Sequence, residues 1–120
     1  MSYLTEHPSP DGKYRILLAA LEMRMSHWVE SAALWCKGDS IALLEIGDDM
    51  WSVDSVKWSV DSSHVTLEMR RYPGDTPGIT VTVFPEKSVA TVQTPNGSET
   101  VSFSALSSQL EDYYRKAHKR

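Results

Sequence analysis

From residue 41 to residue 103 the chain alternates apolar and polar residues in short runs. Turn-forming residues break these runs about every eight to twelve positions. A helix needs a longer 3.6-residue period and a parallel sheet needs long crossovers, so this rhythm predicts an antiparallel meander. Ile41–Ile46 lies between Lys37-Gly38-Asp39-Ser40 and Gly47-Asp48-Asp49, and Val56–Trp58 is a further short strand. His64–Arg71 places Val65, Leu67 and Met69 on one side and Thr66, Glu68 and Arg70 on the other, which is a half-buried strand. A loop from Tyr72 to Gly78 carries two prolines and two glycines. Ile79–Phe84 alternates again with Ile79, Val81 and Val83 inward, and Pro85-Glu86-Lys87 turns into Ser88–Gln93. Thr94–Ser98 contains Asn-Gly, a pair that tolerates the positive φ of a tight hairpin, and Glu99–Phe103 returns. Ser104 then suits an N-cap for a helix over about 105–117, with Leu106, Leu110, Tyr113 and Tyr114 as its apolar stripe.

The first third is ambiguous. Residues 7–12 (His-Pro-Ser-Pro-Asp-Gly) are turn-rich. Beyond them Tyr14, Leu17, Leu18, Leu21, Met25, Trp28, Val29, Ala32 and Trp35 recur at helical spacing, and Gly38 could stop a helix. Periodicity by itself favours an amphipathic helix there. Two strands, about 14–24 and 27–36, covered on both faces, would give the same pattern. The fold class expected is mainly β: a single domain over 1–120, an antiparallel meander of about seven to eight strands, open or closed into a small barrel. One C-terminal α-helix would pack on the sheet or across a barrel mouth. The alternative is α+β with a helix at 14–36.

Trp51-Ser52-Val53-Asp54 recurs seven residues on as Trp58-Ser59-Val60-Asp61, too soon for two repeat units. The second copy runs on into a strand, and Ser9-Pro10-Asp11-Gly12-Lys13-Tyr14-Arg15-Ile16 has the same logic: a tight turn whose Asp accepts backbone N–H bonds, then an apolar strand. Both segments resemble the turn-strand unit of bacterial WD-like propeller blades. A propeller needs at least four blades of four strands, more than 120 residues can supply, so only the local turn-strand units carry over. Met23–Ser31, with Trp51, Trp58 and Arg70-Arg71-Tyr72-Pro73-Gly74, also resembles a family of small bacterial proteins without an assigned activity. That resemblance implies strands for 14–36 and lends no catalytic residues.

Charge and composition narrow the chemistry. Sixteen acids and twelve bases give a net charge of −4, against nucleic acid as a partner. The first 60 residues hold nine acids and five bases, and the last 60 hold seven of each. Four bases close the chain (Arg115, Lys116, Lys119, Arg120), which suits the negative end of a helix dipole. Cys36 is the only cysteine, so no intramolecular disulfide can form. No charged n-region with an apolar stretch opens the chain and no run reaches the ~18 apolar residues of a membrane span, so a cytoplasmic, non-membrane protein is expected. Asn96-Gly97-Ser98 fits a glycosylation sequon but is better explained by turn chemistry.

Candidate chemistries are sparse. His7, His27, His64 and His118 show no metal-ligand spacing, and Cys36 has no Cys-x-x-Cys mate. His27 and Glu30 would point to opposite faces of a strand, and Asp48, Asp49, Asp54 and Asp61 match no EF-hand register. There is no nucleophile elbow and no phosphate-binding glycine loop. Cys36 beside Trp35 suits a small buried hydrophobe better than a nucleophile, and Glu22 and Glu30 could face each other across a hairpin but lack a cleft. No cofactor is expected.

The aromatic residues remain. Trp28, Trp35, Trp51 and Trp58 ordinarily belong to a core. Trp51 and Trp58 lie in a turn-rich zone, and with Arg70, Arg71 and Tyr72 they form the candidate interaction surface. The function expected is non-enzymatic protein–protein contact by a small bacterial protein, with an inhibitor or immunity-like role as one form of it. The physiological role and the partner protein stay unknown, and open sheet edges leave room for a homodimer. The alternative is a small-molecule carrier with a tryptophan-lined apolar cavity, since a meander ending in a helix resembles up-and-down ligand-binding barrels. A hydrolase using His27 or His64 is the third.

Overall fold

The computed structural model describes residues 2–22, 28–46, 51–71 and 78–117. Among them, nine strands precede one helix: β1 (Ser2–Pro8), β2 (Tyr14–Glu22), β3 (Trp28–Cys36), β4 (Leu44–Ile46), β5 (Trp51–Trp58), β6 (Val65–Arg71), β7 (Ile79–Phe84), β8 (Val89–Thr94), β9 (Gly97–Ser102) and α1 (Leu106–Ala117). All neighbours pair antiparallel, in two sheets ordered β1-β2-β3-β4 and β5-β6-β7-β8-β9. The mainly β meander with a C-terminal helix is therefore the fold. It is divided between two sheets, with no closed barrel, because β4 keeps only three residues and β5 begins a new ladder.

Of the stretch 14–36, the described residues form strands, Tyr14–Glu22 and Trp28–Cys36, not a helix. β2 and β3 pair without a break from Tyr14↔Cys36 to Glu22↔Trp28. Tyr14, Ile16, Leu18 and Ala20 are buried, as are Ala32 and Leu34. On the opposite face Leu17 and Ala33 pair and are half-buried, and the Arg15 guanidinium sits over Trp35, 5.8 Å from its ring centre. Apolar residues on both faces erase the period of two and leave spacings that mimic a helix. The turn-rich reading of residues 7–12 overlooked β1, a short edge strand that ends at Pro8, where a missing N–H costs nothing.

Both sheets and α1 feed one core. Ile16, Leu34 and Ile46 come from the first sheet, Trp51, Leu67, Met69 and Val81 from the second, and Leu106, Leu110 and Tyr113 from the helix. Tyr114 packs partly against it, so the predicted apolar stripe of α1 is the face that docks. Ser104 is not the helix cap. It lies inside a 3-10 turn, Phe103–Ala105, that leads into α1, and its hydroxyl meets Ser102 Oγ at 3.1 Å.

A bulge in β5 explains how two tryptophans seven positions apart can both turn inward. An odd separation places two residues on opposite faces of a regular strand. The β5–β6 register steps from Val53↔Met69 to Ser55↔Glu68, which leaves Asp54 as the extra residue. Before it Trp51 and Val53 are buried; beyond it Val56 and Trp58 pack against the core while Ser55 and Lys57 are exposed. Asp54 itself reaches Arg70 at 3.3 Å.

Two turns fifty positions apart share one bonding scheme. Ser9 Oγ donates to Asp11 Oδ1 at 2.7 Å, the Lys13 N–H donates to the same oxygen at 2.9 Å, and the Tyr14 N–H donates to Ser9 Oγ at 3.1 Å. Ser59 Oγ donates to Asp61 Oδ1 at 2.8 Å, the Ser63 N–H at 3.0 Å, and the His64 N–H donates to Ser59 Oγ at 3.2 Å. Each turn needs one left-handed residue, Gly12 (φ +74°) and Ser62 (φ +62°). The turns touch, since the Asp11 N–H donates to Ser62 Oγ at 3.0 Å. The Trp58 indole N–H donates to the His7 carbonyl at 2.9 Å, and Lys13 Nζ and Tyr14 OH both donate to Glu86 (2.5 and 3.2 Å). These contacts tie the two sheets together at one end.

Candidate functional site

The structure separates the five residues expected to form an interaction surface. Trp51 is fully buried and cannot meet a partner. Its ring lies 6.5 Å from Tyr113, and its indole N–H is enclosed with no hydrogen-bond partner among the described residues. Trp58 is half-buried, and its N–H is committed to His7. Arg71 is drawn inward. It reaches Glu111 of α1 at 2.5 Å, lies 3.9 Å from the centre of the Tyr114 ring and 5.9 Å from that of Trp51. A guanidinium stacks on aromatic rings and pairs with a carboxylate at once, so Arg71 clasps the helix to the sheet. Arg70 alone is plainly exposed, beside Asp54. Tyr72 lies outside the described residues. The sequence grouped these residues by proximity along the chain, and burial then divided them.

The groups considered for catalysis do not assemble a reacting centre among the described residues. Cys36 is half-buried against the core, and His27 lies outside the described residues. The register sets Glu22 beside Trp28 and Glu30 beside Ala20, so the two glutamates are not direct partners. Asp61, Ser63 and His64 carry the residue types of a triad in a different wiring. Ser63 Oγ donates to Asp61 at 2.7 Å and lies 3.1 Å from His64 Nδ1. A triad needs the carboxylate on the imidazole and the imidazole on the hydroxyl. Here the carboxylate holds the hydroxyl, as a turn cap does. Hydrogen bonds from Ser63 and Ser59 lower the Asp61 carboxyl to about 2. Asp11 is lowered in the same sense, first by the Lys13 N–H and then by Ser9. The His64 ring packs against Phe84, centre to centre 5.5 Å. No group of three or more His, Cys, Asp or Glu residues among the described ones could hold a metal.

A concavity lies elsewhere, between β9 and α1. It is an open groove of about 400 Å³. Gly97, Ser98 and Glu99 form one wall, and Gln109, Asp112 and Lys116 form the other. Val92 and Tyr113 give it an apolar floor, and burial pushes the Tyr113 hydroxyl pKa upward. Gln109 Nε2 donates to Glu99 Oε2 at 2.5 Å, which fixes the spacing of the walls, and Arg115 pairs with Asp112.

β9 borders this groove as an edge strand. Among the described residues it pairs only with β8, and every one of its residues except Val101 is exposed. The Pro95-Asn96 turn joins Thr94↔Gly97, and residues flanking a two-residue turn exchange both main-chain bonds. The parity then runs through Glu99 and Val101 to Phe103, whose N–H does donate to the Ser88 carbonyl at 3.1 Å. The amides and carbonyls of Ser98, Thr100 and Ser102 consequently point away from β8 along the free edge. The sequence contained a signal for this: Gly97-Ser-Glu-Thr-Val-Ser102 has a single apolar residue, as an edge strand allows. Nothing in it announced that a helix would run alongside.

Among the described residues no helix is long and apolar enough to cross a membrane. Comparisons of the chain with protein-family models, with curated proteins and with solved structures each gave no match.

Proposed function

We propose that this is a non-enzymatic cytoplasmic protein that acts by binding another protein, and that β9 with its flanking groove is the contact surface. One observation carries this reading: β9 leaves the main-chain groups of three alternate residues free beside a concavity with an apolar floor and polar walls. Strand addition supplies affinity through main-chain bonds, and a neighbouring groove supplies selectivity through side chains. The proposed surface therefore moves from Trp51, Trp58, Arg70, Arg71 and Tyr72 to residues 97–102 and the facing side of α1. A carrier role draws less support, because the groove is open and no tryptophan lines it. The wiring of Asp61, Ser63 and His64 as a turn cap likewise favours binding over hydrolysis.

The test uses a photo-crosslinking amino acid at Thr100 and, separately, at exposed Ser40 beyond the end of β3. Irradiation in an extract of the source cells should give a discrete protein adduct from position 100 and none from position 40. Absence of an adduct from both positions overturns the reading, and adducts from position 40 alone move the surface.

A further inference from the structure

Resting on that reading, we infer that the strand added to β9 is β9 of a second copy of this chain. The two run antiparallel about a two-fold axis at Thr100, so that two five-stranded sheets join into one. The edges of the two sheets differ in how they are guarded. β1 carries Glu6 and Pro8 and gives its His7 carbonyl to the Trp58 indole. β4 has only three residues. β5 carries exposed Lys57, is bent by the Asp54 bulge and lies against β3 of the other sheet. Charges, prolines, bulges, shortness and cover are the devices that keep an edge from pairing. β9 runs in unbroken register with β8 from Gly97 to Ser102, without a proline or a bulge. Its one charge, Glu99, is held toward α1 by Gln109.

The order of the outward groups selects a second copy. Ser98, Thr100 and Ser102 turn their main-chain groups to the free edge. Their side chains face away from α1, because Val101 packs against the core and Glu99 bonds Gln109. Read in either direction this set is serine, threonine, serine. A two-fold axis at Thr100 therefore sets Ser98 opposite Ser102 of the second copy, Thr100 opposite Thr100, and each free amide opposite a free carbonyl. The sheet already uses such hydroxyl pairs. Thr66↔Thr82, Thr82↔Thr91 and Thr91↔Thr100 are successive partners in one row, and the hydroxyls of Thr91 and Thr100 meet at 2.9 Å. The row stops at the free edge, and a second copy continues it. Charge agrees with this axis, since Glu99 falls opposite Val101 of the second copy. An axis one residue earlier would set the two Glu99 carboxylates face to face, which is unfavourable. Beside the seam Asp112 is paired with Arg115 and Lys116 adds a further cation, so no field of one sign keeps two copies apart. A seam of one short strand pair is a small interface, so the dimer is micromolar rather than nanomolar.

Sedimentation equilibrium of the purified chain should show its mass rise from one chain toward two as loading increases into the millimolar range. Thr100→Pro removes an N–H that β8 does not use and should abolish the rise. Thr100→Lys and Thr100→Glu each set like charges opposite one another, and each alone should associate about fivefold more weakly than the unaltered chain. Their equimolar mixture should associate at least as tightly as the unaltered chain, which no loss of folding could imitate. Disulfides then read the register in a Cys36→Ala background with oxidised glutathione. Thr100→Cys should give a covalent dimer, since facing residues of a bonded pair have Cα atoms about 5.5 Å apart. Ser98→Cys alone should not, because the two copies of that residue lie about 14 Å apart along the strands, whereas Ser98→Cys mixed with Ser102→Cys should. A chain that stays monomeric at every loading overturns the inference. A dimer indifferent to Thr100→Pro and to both charges overturns β9 as the seam, and a dimer from Ser98→Cys alone overturns the axis at Thr100. A monomer whose position 100 captures a different protein overturns this inference and leaves protein binding standing. A dimer with its seam elsewhere and no adduct at position 100 overturns both.

Discussion

In the first Trp-Ser-Val-Asp unit the tryptophan is fully buried beside Tyr113, and the aspartate is the extra residue of a bulge. In the second, the tryptophan is half-buried across the sheets, and the aspartate closes a turn by accepting from Ser59 and Ser63. The identity extends to a fifth residue. Ser55 sits in a strand, whereas Ser62 takes a left-handed φ of +62°. Five identical residues thus adopt two structures, and the reason lies outside them. Val56-Lys57-Trp58 continues the first copy as a strand paired to β6, while Ser63-His64 continues the second with groups that bond back to Asp61 and Ser59. Local side chains permit either outcome, and the ladder with β6 decides.

The largest expected contrast is between the two tryptophans. Trp51→Ala should cost about 3–5 kcal/mol, because it empties a site between sheet and helix, and Trp58→Ala should cost about half as much. Urea unfolding midpoints measure both, and equal losses would break the comparison. Deletion of Asp54 comes next. It removes the extra residue and joins Val53↔Met69 directly to Ser55↔Glu68, so Trp51 and Trp58 stand an even number of positions apart and both still face inward, at a cost of about 1 kcal/mol or less. Acrylamide quenching should find Trp58 as shielded as before in that variant, and a more exposed Trp58 would break the account of the bulge. Gly12→Ala tests the twin turns. Space is open around Gly12, so only the left-handed backbone opposes a side chain, at about 1 kcal/mol. A cost near zero would mean that this turn relaxes where that of Ser62 does not.

The smallest effect is the response to acid. The Asp61 carboxyl, ordinarily near 3.8, is lowered to about 2 by hydrogen bonds that only the folded chain provides. A depressed carboxyl contributes stability above its unfolded value and loses it as pH falls through the folded one. Stability should therefore decline from about pH 4 toward pH 2, and Asp61→Asn should flatten that slope. Asp11→Asn should act in the same direction, since Asp11 is lowered by the matching bonds. An unchanged acid limb in the double variant would show that the turn bonds do not persist in solution.

Much of the fold was legible. The strands from His64 onward, the Asn-Gly hairpin and the apolar stripe of α1 follow from alternation and turn chemistry, because each buries one face only. Residues 14–36 were harder to read, since Leu17, Ala33 and Trp35 put apolar groups on the second face as well. The proposed contact surface was half legible. The polar run of β9 marks an edge strand, but α1 reaches it through Gln109 and Glu99, ten residues apart and joined only by folding.

By itself, the sequence determined antiparallel strands, a closing helix and two aspartate-capped turns, because these depend on periods of two and 3.6 and on bonds within a few residues. Only the tertiary structure decided that Trp51 is core, that Arg71 is a clasp for α1, that Asp54 bulges where Asp61 caps, and that the free edge lies at β9 beside a groove. Each of those outcomes depends on which distant residue arrives opposite, and burial and pairing select among conformations that the local chain holds in common.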